Sequence, residues 1–174
     1  MQLENSEPET NTIFLIRGLP GAGKTSLAEH IYGGMASIAD RTVAADDWFE
    51  AESGEYVFDP RFLHHAHEYS QRIAREALES GNNVVVHNTF SQRWEMQAYI
   101  DMSVQLGARL VVIDLFDAGM DDVSLARRCE HGVSTKVINK MRSRWEHDWR
   151  NGDPTEPWLR EDPEEADVLE VPGV

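Results

Sequence analysis

Short apolar runs alternate along this chain with longer stretches of helical periodicity. Asn11 to Arg17 is apolar, β-branched and brief, which predicts a buried strand. Thr25 to Tyr32 predicts a helix closed by Gly33-Gly34. Thr42 to Ala45 predicts a second short strand ending in Asp46-Asp47-Trp48-Phe49, and Glu50 to Asp59 reads as a polar loop covering a site. Pro60 opens a helix with Phe62, Ala66, Tyr69, Ile73 and Ala77 at helical spacing, stopping at Ser80-Gly81. Asn83 to His87 is a third strand without alternation, hence buried on both faces, and Asn88-Thr89-Phe90 follows it. Thr89 or Ser91 caps a helix through Trp94, Tyr99 and Met102 to Leu106-Gly107. Arg109 to Leu115 is the fourth strand, a helix runs through Val123, Leu125 and Ala126, and a last helix spans roughly Ser134 to Trp149. Strands alternating with helices across short loops predict an α/β fold, a parallel sheet with helices on both faces. Such sheets bind ligands at the carboxyl ends of their strands, where three polar clusters of this chain fall.

The first cluster is Gly18-Leu19-Pro20-Gly21-Ala22-Gly23-Lys24-Thr25, which matches G-x-x-x-x-G-K-[ST] between a strand and a helix. Glycines let backbone N–H groups crowd around phosphate oxygens, and the helix N-terminus adds its positive end. Gly18, Gly21, Ala22, Gly23, Lys24, Thr25 and Ser26 are therefore the expected contacts of a nucleoside triphosphate. Lys24 reaches the β- and γ-phosphates, and the Thr25 hydroxyl ligates Mg²⁺.

Composition narrows the partners. A length of 174 residues predicts one domain. The organisation expected is a flexible acidic arm at residues 1–10, a catalytic domain at 11–150 with a lid at about 117–150, and an acidic tail at 151–174. Residues 168–171 are a candidate final strand of that tail. The net charge of −15 argues against a generally basic nucleic-acid coat, yet residues 127–150 carry a net +4 while residues 151–174 carry −7. Positive charge is thus concentrated in one late segment. Cys129 is the only cysteine, which excludes an internal disulfide and a four-cysteine zinc site. No apolar run approaches the length of a membrane span, the first ten residues are not signal-like, and the cytoplasm is the expected location.

A phosphate-binding loop alone does not separate hydrolase, motor, switch and kinase. A kinase needs a carboxylate near the γ-phosphate to accept the acceptor's proton. Asp46 is that candidate, while Asp47 orients it or the Mg²⁺ waters, or caps the turn. In the second cluster Asn88 stands where many such proteins place a metal-holding Asp, which suits a grip on substrate phosphate or sugar. Phe90 stacks on a base or belongs to the core. The third cluster is a lid in which Arg127 and Arg128 face the transferring group and Gly132 acts as a hinge. Its last helix carries a basic stripe of Lys136, Lys140 and Arg144 opposite Val137, Met141 and Trp145. His64, His67 and Glu68 resemble zinc spacing, but without H-E-x-x-H or a third ligand they read as surface or packing groups.

Taken together, G-L-P-G-A-G-K-T at 18–25, A-D-D-W-F at 45–49, G-x-Y-x-F-D at 54–59, V-V-V-H-N-T-F at 84–90 and R-R-C-E-H-G-V at 127–133 resemble one family. It is the small P-loop kinases related to polynucleotide 5′-hydroxyl kinase, including the phage-type hydroxymethylpyrimidine DNA kinases. The likeness implies an ATP- and Mg²⁺-dependent kinase and a nucleic-acid substrate, DNA before RNA. It also implies Asp46 as general base, Asn88 and Thr89 near the acceptor, and a lid arginine on the donor phosphates. A phage origin would make the compartment the host cytoplasm. One departure moves the acceptor into question. Phe49 stands where the polynucleotide kinase pattern has an Arg that grips acceptor phosphate, and the pair Trp48-Phe49 suits a base instead. A small-molecule kinase for a nucleoside, sugar or antibiotic, and a nucleotide-dependent switch, are the other classes the chain admits.

Overall fold

The computed structural model describes residues 10–35, 40–51 and 58–147. The expectations for most of the N-terminal arm, for the middle of the polar loop and for the acidic tail with its strand lie outside those residues. In chain order the described elements begin with strand β1 (Thr12–Arg17), helix α1 (Lys24–Gly33), strand β2 (Arg41–Val43) and helix α2 (Asp46–Ala51). A 3₁₀ turn at Pro60–Phe62 leads into α3 (Leu63–Glu79), followed by β3 (Val84–Asn88). A second 3₁₀ turn at Arg93–Met96 leads into α4 (Gln97–Leu106), then β4 (Arg109–Asp114), α5 (Asp122–Arg128) and α6 (Thr135–Ser143).

The strands form one parallel sheet in the order β2-β3-β1-β4, so the expected α/β architecture is observed. Arg17 lies in register with Asn88 on one side and Asp114 on the other. All carboxyl ends therefore open on one rim. β1 and β3 occupy the centre, where both faces are covered, and β3 is buried along its whole length. Their side chains alternate between two cores. Ile13, Leu15, Val84 and Val86 pack with Ala74, Ala77, Tyr99 and Met102 of α3 and α4. Ile16 and Val85 pack on the other face against Ala28 of α1. Each fully buried aliphatic side chain contributes roughly 1.5–3 kcal/mol, so the rim stands on a rigid base. Among the described residues β4 is at the edge of the sheet, and it is more exposed than its apolar sequence suggests.

Several boundaries differ from expectation for local reasons. The second strand stops at Val43 because Asp47 turns the chain, and Asp46 begins a helix rather than ending a strand. The 3₁₀ turn that leads into α4 is capped by Gln92 with Glu95, not by Thr89 or Ser91: Gln92 N–H donates to the Glu95 carboxylate at 2.9 Å. Gly34 closes α1 with an ordinary right-handed φ of −91° instead of a left-handed turn. The last helix ends at Ser143, well short of Trp149, because Glu146 N–H leaves the helix to donate to Ser91 O at 2.9 Å. Its buried position is Ile138, with Met141 and Trp145 packed beside it, while Val137 faces solvent.

Candidate functional site

The phosphate loop is pinned at the rim by its neighbours. Gly18 N–H donates to Thr89 O at 3.2 Å and Leu19 N–H to Phe116 O at 2.7 Å, so the ends of β3 and β4 hold it. Gly21 and Gly23 take left-handed φ values of 82° and 95°, which a side chain resists. Gly21 is also sterically fixed: a Cβ there would fall 2.1 Å from the Leu125 carbonyl oxygen of α5. Gly23 caps α1 without a side chain, and the first turn carries no acid, so its positive end is open to an anion. Thr25 and Ser26 are exposed in that first turn. Lys24 Nζ donates to Leu19 O at 3.1 Å, folded back along the loop. Burial pushes its ammonium down to about 8, opposed by the charges of Asp46 and Cys129.

The Asp pair divides its work. Asp47 Oδ2 accepts from Ala44 N at 2.7 Å, which caps the turn into α2. Asp46, beside it, is half-exposed at the rim and electrostatically felt by Lys24, His67 and His87. From the lid side His131 Nε2 approaches Asp46 Oδ2 to 3.9 Å. Asn88 Oδ1 accepts from Ala45 N at 2.8 Å, tying β3 to the Asp pair. Its Nδ2 is buried and has no hydrogen-bond partner among the described residues, leaving a donor to be satisfied. His87 is held neutral by burial, which pushes it down to about 4; Lys24 adds to the shift and Asp46 opposes it.

The aromatic candidates fall in different places. Phe90, with 2% of its surface exposed, belongs to the core and meets Tyr99 edge-on at 5.7 Å, so no base can stack on it. Phe49, 4% exposed, packs with Ala45 and Ala66 and edge-on to Trp48 at 5.1 Å. It supports α2 from beneath. Trp48 and Thr89 remain partly exposed.

The segment expected to be a lid comprises α5 and α6, clamped together by Arg142, whose guanidinium pairs with Asp117 and with Asp122, the latter at 2.9 Å, and donates to Met120 O. Leu125, Ile138 and Trp145 pack on Leu19 and Ala22, so the lid rests on the phosphate loop. Arg128 Nη2 lies 3.9 Å from where a Gly23 Cβ would be, beside the phosphate loop. Arg127 lies in the last turn of the same helix and acts electrostatically on Asp121.

Sequence reading missed Arg17. Its side chain is completely buried and donates from Nε to Phe90 O at 3.0 Å and from Nη2 to Ser91 O at 3.3 Å and Glu146 O at 3.0 Å. Nη1 stands 3.4 Å from Asp114. These contacts hold Phe90 in its left-handed φ of 45°, a conformation that costs of order 1–3 kcal/mol in isolation. A cation closing an otherwise apolar strand was the available signal.

Extent decides the kinship. Residues 13–147, from β1 through the lid to the end of the described region, match the AAA domain family AAA_33. The chain belongs to that family. Human NEDD4-binding protein 2 is 36% identical over 132 residues, which are 74% of this chain and 7% of that protein. A chain of the Pnkp1/Rnl/Hen1 RNA repair complex superposes with a TM-score of 0.65 at 16% identity, covering 94% of this chain and 56% of its own. A gluconokinase from Sinorhizobium meliloti 1021 gives 0.50 at 17% identity, covering 81% and 78%. This AAA_33 member thus has a nucleotide-binding, kinase-like P-loop fold and spans only a small part of the curated relative it matches. Among the described residues no helix is long and apolar enough to cross a membrane.

Proposed function

We propose that this chain is an ATP-dependent kinase that transfers the γ-phosphoryl group to a hydroxyl of a nucleic acid. The acceptor is a 5-hydroxymethylpyrimidine base in DNA or a polynucleotide 5′-hydroxyl. The observation that carries the reading is Asp46, half-exposed on the rim and within electrostatic reach of Lys24. A switch needs the lysine but not such a carboxylate.

In this reading the triphosphate lies along residues 18–26, with Lys24 and Arg128 on its phosphates and Arg127 flanking them. The fit is supported by the uncapped start of α1 and by the Gly21 backbone pressed against Leu125. The Thr25 hydroxyl would hold Mg²⁺, which takes one protein oxygen and completes its shell with phosphates and water. When bound, that ion neutralises phosphate charge. Asp46 accepts the proton of the acceptor hydroxyl as its oxygen bonds to the γ-phosphorus. The bond from that phosphorus to the β–γ bridging oxygen breaks, and ADP leaves. Asn88 Nδ2, the buried donor without a partner among the described residues, faces the need to grip an oxygen of the acceptor, with Thr89, Asp47 and Trp48 beside it.

A small-molecule acceptor is the second reading, favoured by the net charge of −15 and by burial of Phe49 away from any base. Labelled ATP incubated with 5′-hydroxyl oligonucleotides, hydroxymethylcytosine duplexes, nucleosides and sugars separates the readings. Label in an oligonucleotide or duplex is the expected result. Label confined to nucleosides or sugars supports the second reading, and slow phosphate release alone contradicts both.

A further inference from the structure

The lid segment crosses the site in an ordered way. Leu125 O abuts Gly21, Arg128 overlies Gly23, Cys129 acts electrostatically on Lys24, and His131 reaches Asp46. One strap of seven residues therefore runs from the donor loop to the candidate base. After His131 the chain reverses at Gly132, whose φ of 65° permits the turn.

We infer that His131 is a positioning residue for Asp46, so that lid closure over the donor also sets the base toward the acceptor. This rests on the reading of Asp46 as general base. Productive proton transfer needs a base on the first turn of a six-residue helix to be held in one orientation. Asp46 belongs to that helix, and its neighbours Lys24, His67 and His87 come from α1, α3 and β3. His67 and His87 are both kept neutral by burial, and they stand on α3 and β3, outside the strap that crosses the site. His131 alone among these groups belongs to the lid. Its ring nitrogen, 3.9 Å from Oδ2, needs only a small further approach to donate to that oxygen. An orienting group behind a base is a recurrent arrangement in proton-transfer sites.

The test uses the full chain with labelled ATP and two acceptors, a 5′-hydroxyl oligonucleotide and a hydroxymethylcytosine duplex. His131→Ala is expected to lower kcat about tenfold, with the KM for ATP within about twofold of wild type because the donor contacts remain. His131→Gln, which retains an N–H donor, is expected to recover most of the rate. An acceptor-independent arm records the His131 ring resonances in the complex with a non-hydrolysable ATP analogue. They are expected to move when Asp46 becomes Asn. Wild-type turnover in His131→Ala, a loss carried by the KM for ATP, no recovery in His131→Gln, or ring resonances indifferent to Asp46 would each overturn the inference. Full transfer by Asp46→Asn with the resonance response intact would instead remove the base assignment and leave the contact standing.

Discussion

The guanidinium of Arg17 lies 4.3 Å from the centre of the Trp145 indole, at a point where the end of β1 meets the end of the lid. Together with the Arg17 bond to Glu146 O, this stacks the lid onto the central strand through a fully buried cation. Burial lowers the Arg17 pKa, and the charges of Asp114, Glu146 and Glu95 restore part of it. Trp145→Ala should therefore destabilise the protein by about 3–5 kcal/mol, the usual range for losing a large core aromatic. Denaturant unfolding followed by far-UV dichroism measures this. A loss below about 1 kcal/mol would mean that the lid is not part of the cooperative unit.

Gly21 and Gly23 offer a matched pair. Both are left-handed, so alanine at either costs about 1–2 kcal/mol in backbone strain. Only at Gly21 does the new methyl meet backbone, 2.1 Å from Leu125 O; at Gly23 the nearest atom is a flexible Arg128 nitrogen at 3.9 Å. Gly21→Ala should lower the thermal midpoint further than Gly23→Ala and weaken ATP binding by more than tenfold. Equal behaviour of the two variants in a melting and titration series would remove Leu125 as the reason for the glycine.

His87 predicts a pH dependence of stability. Its folded pKa, about 4, lies below its ordinary 6.5, so the unfolded chain binds more protons between those values. Stability then rises with pH across that window, and acidification from 6.5 toward 4 costs of order 3 kcal/mol from this group. His87→Asn should flatten the difference in unfolding free energy between pH 4.5 and 6.5 relative to wild type. Parallel curves for the two proteins would show that His87 charges readily in the folded state.

Asn88 has two halves with separable duties. Asn88→Asp keeps an oxygen to accept from Ala45 N but replaces the buried amide donor. The buried carboxylate should lower the melting midpoint at neutral pH without abolishing folding, while the KM for acceptor rises more than tenfold. An unchanged KM would show that the orphaned Nδ2 grips nothing in the reaction.

Much of this was legible in the chain. The strands and the phosphate loop announce themselves because each depends on local pattern: an apolar run, then glycines, then a lysine at a helix start. That one of the two adjacent aspartates caps the turn was also readable, and Asp47 does so by accepting from Ala44 N. Arg17 was not readable, because its burial depends on Glu146 and Trp145, more than a hundred residues away. The end of α6 hid for the same reason: Glu146 exchanges a helical bond for Ser91 O, and periodicity has no access to that choice. Phe90 read either as a base stacker or as core, and Phe49 as a partner of Trp48 against a base; packing by α3 and α4 buries Phe90, and packing by α3 buries Phe49. His131 lay in a motif noted for its arginines, and only the folded lid brings it to Asp46.

The most direct test of the kinase reading compares ATP binding and phosphoryl transfer in Asp46→Asn. The account predicts ATP affinity within about twofold of wild type and transfer reduced by about 10²-fold or more, the contribution expected of a general base. Transfer at the wild-type rate, with an acceptor that the wild type labels, would contradict it.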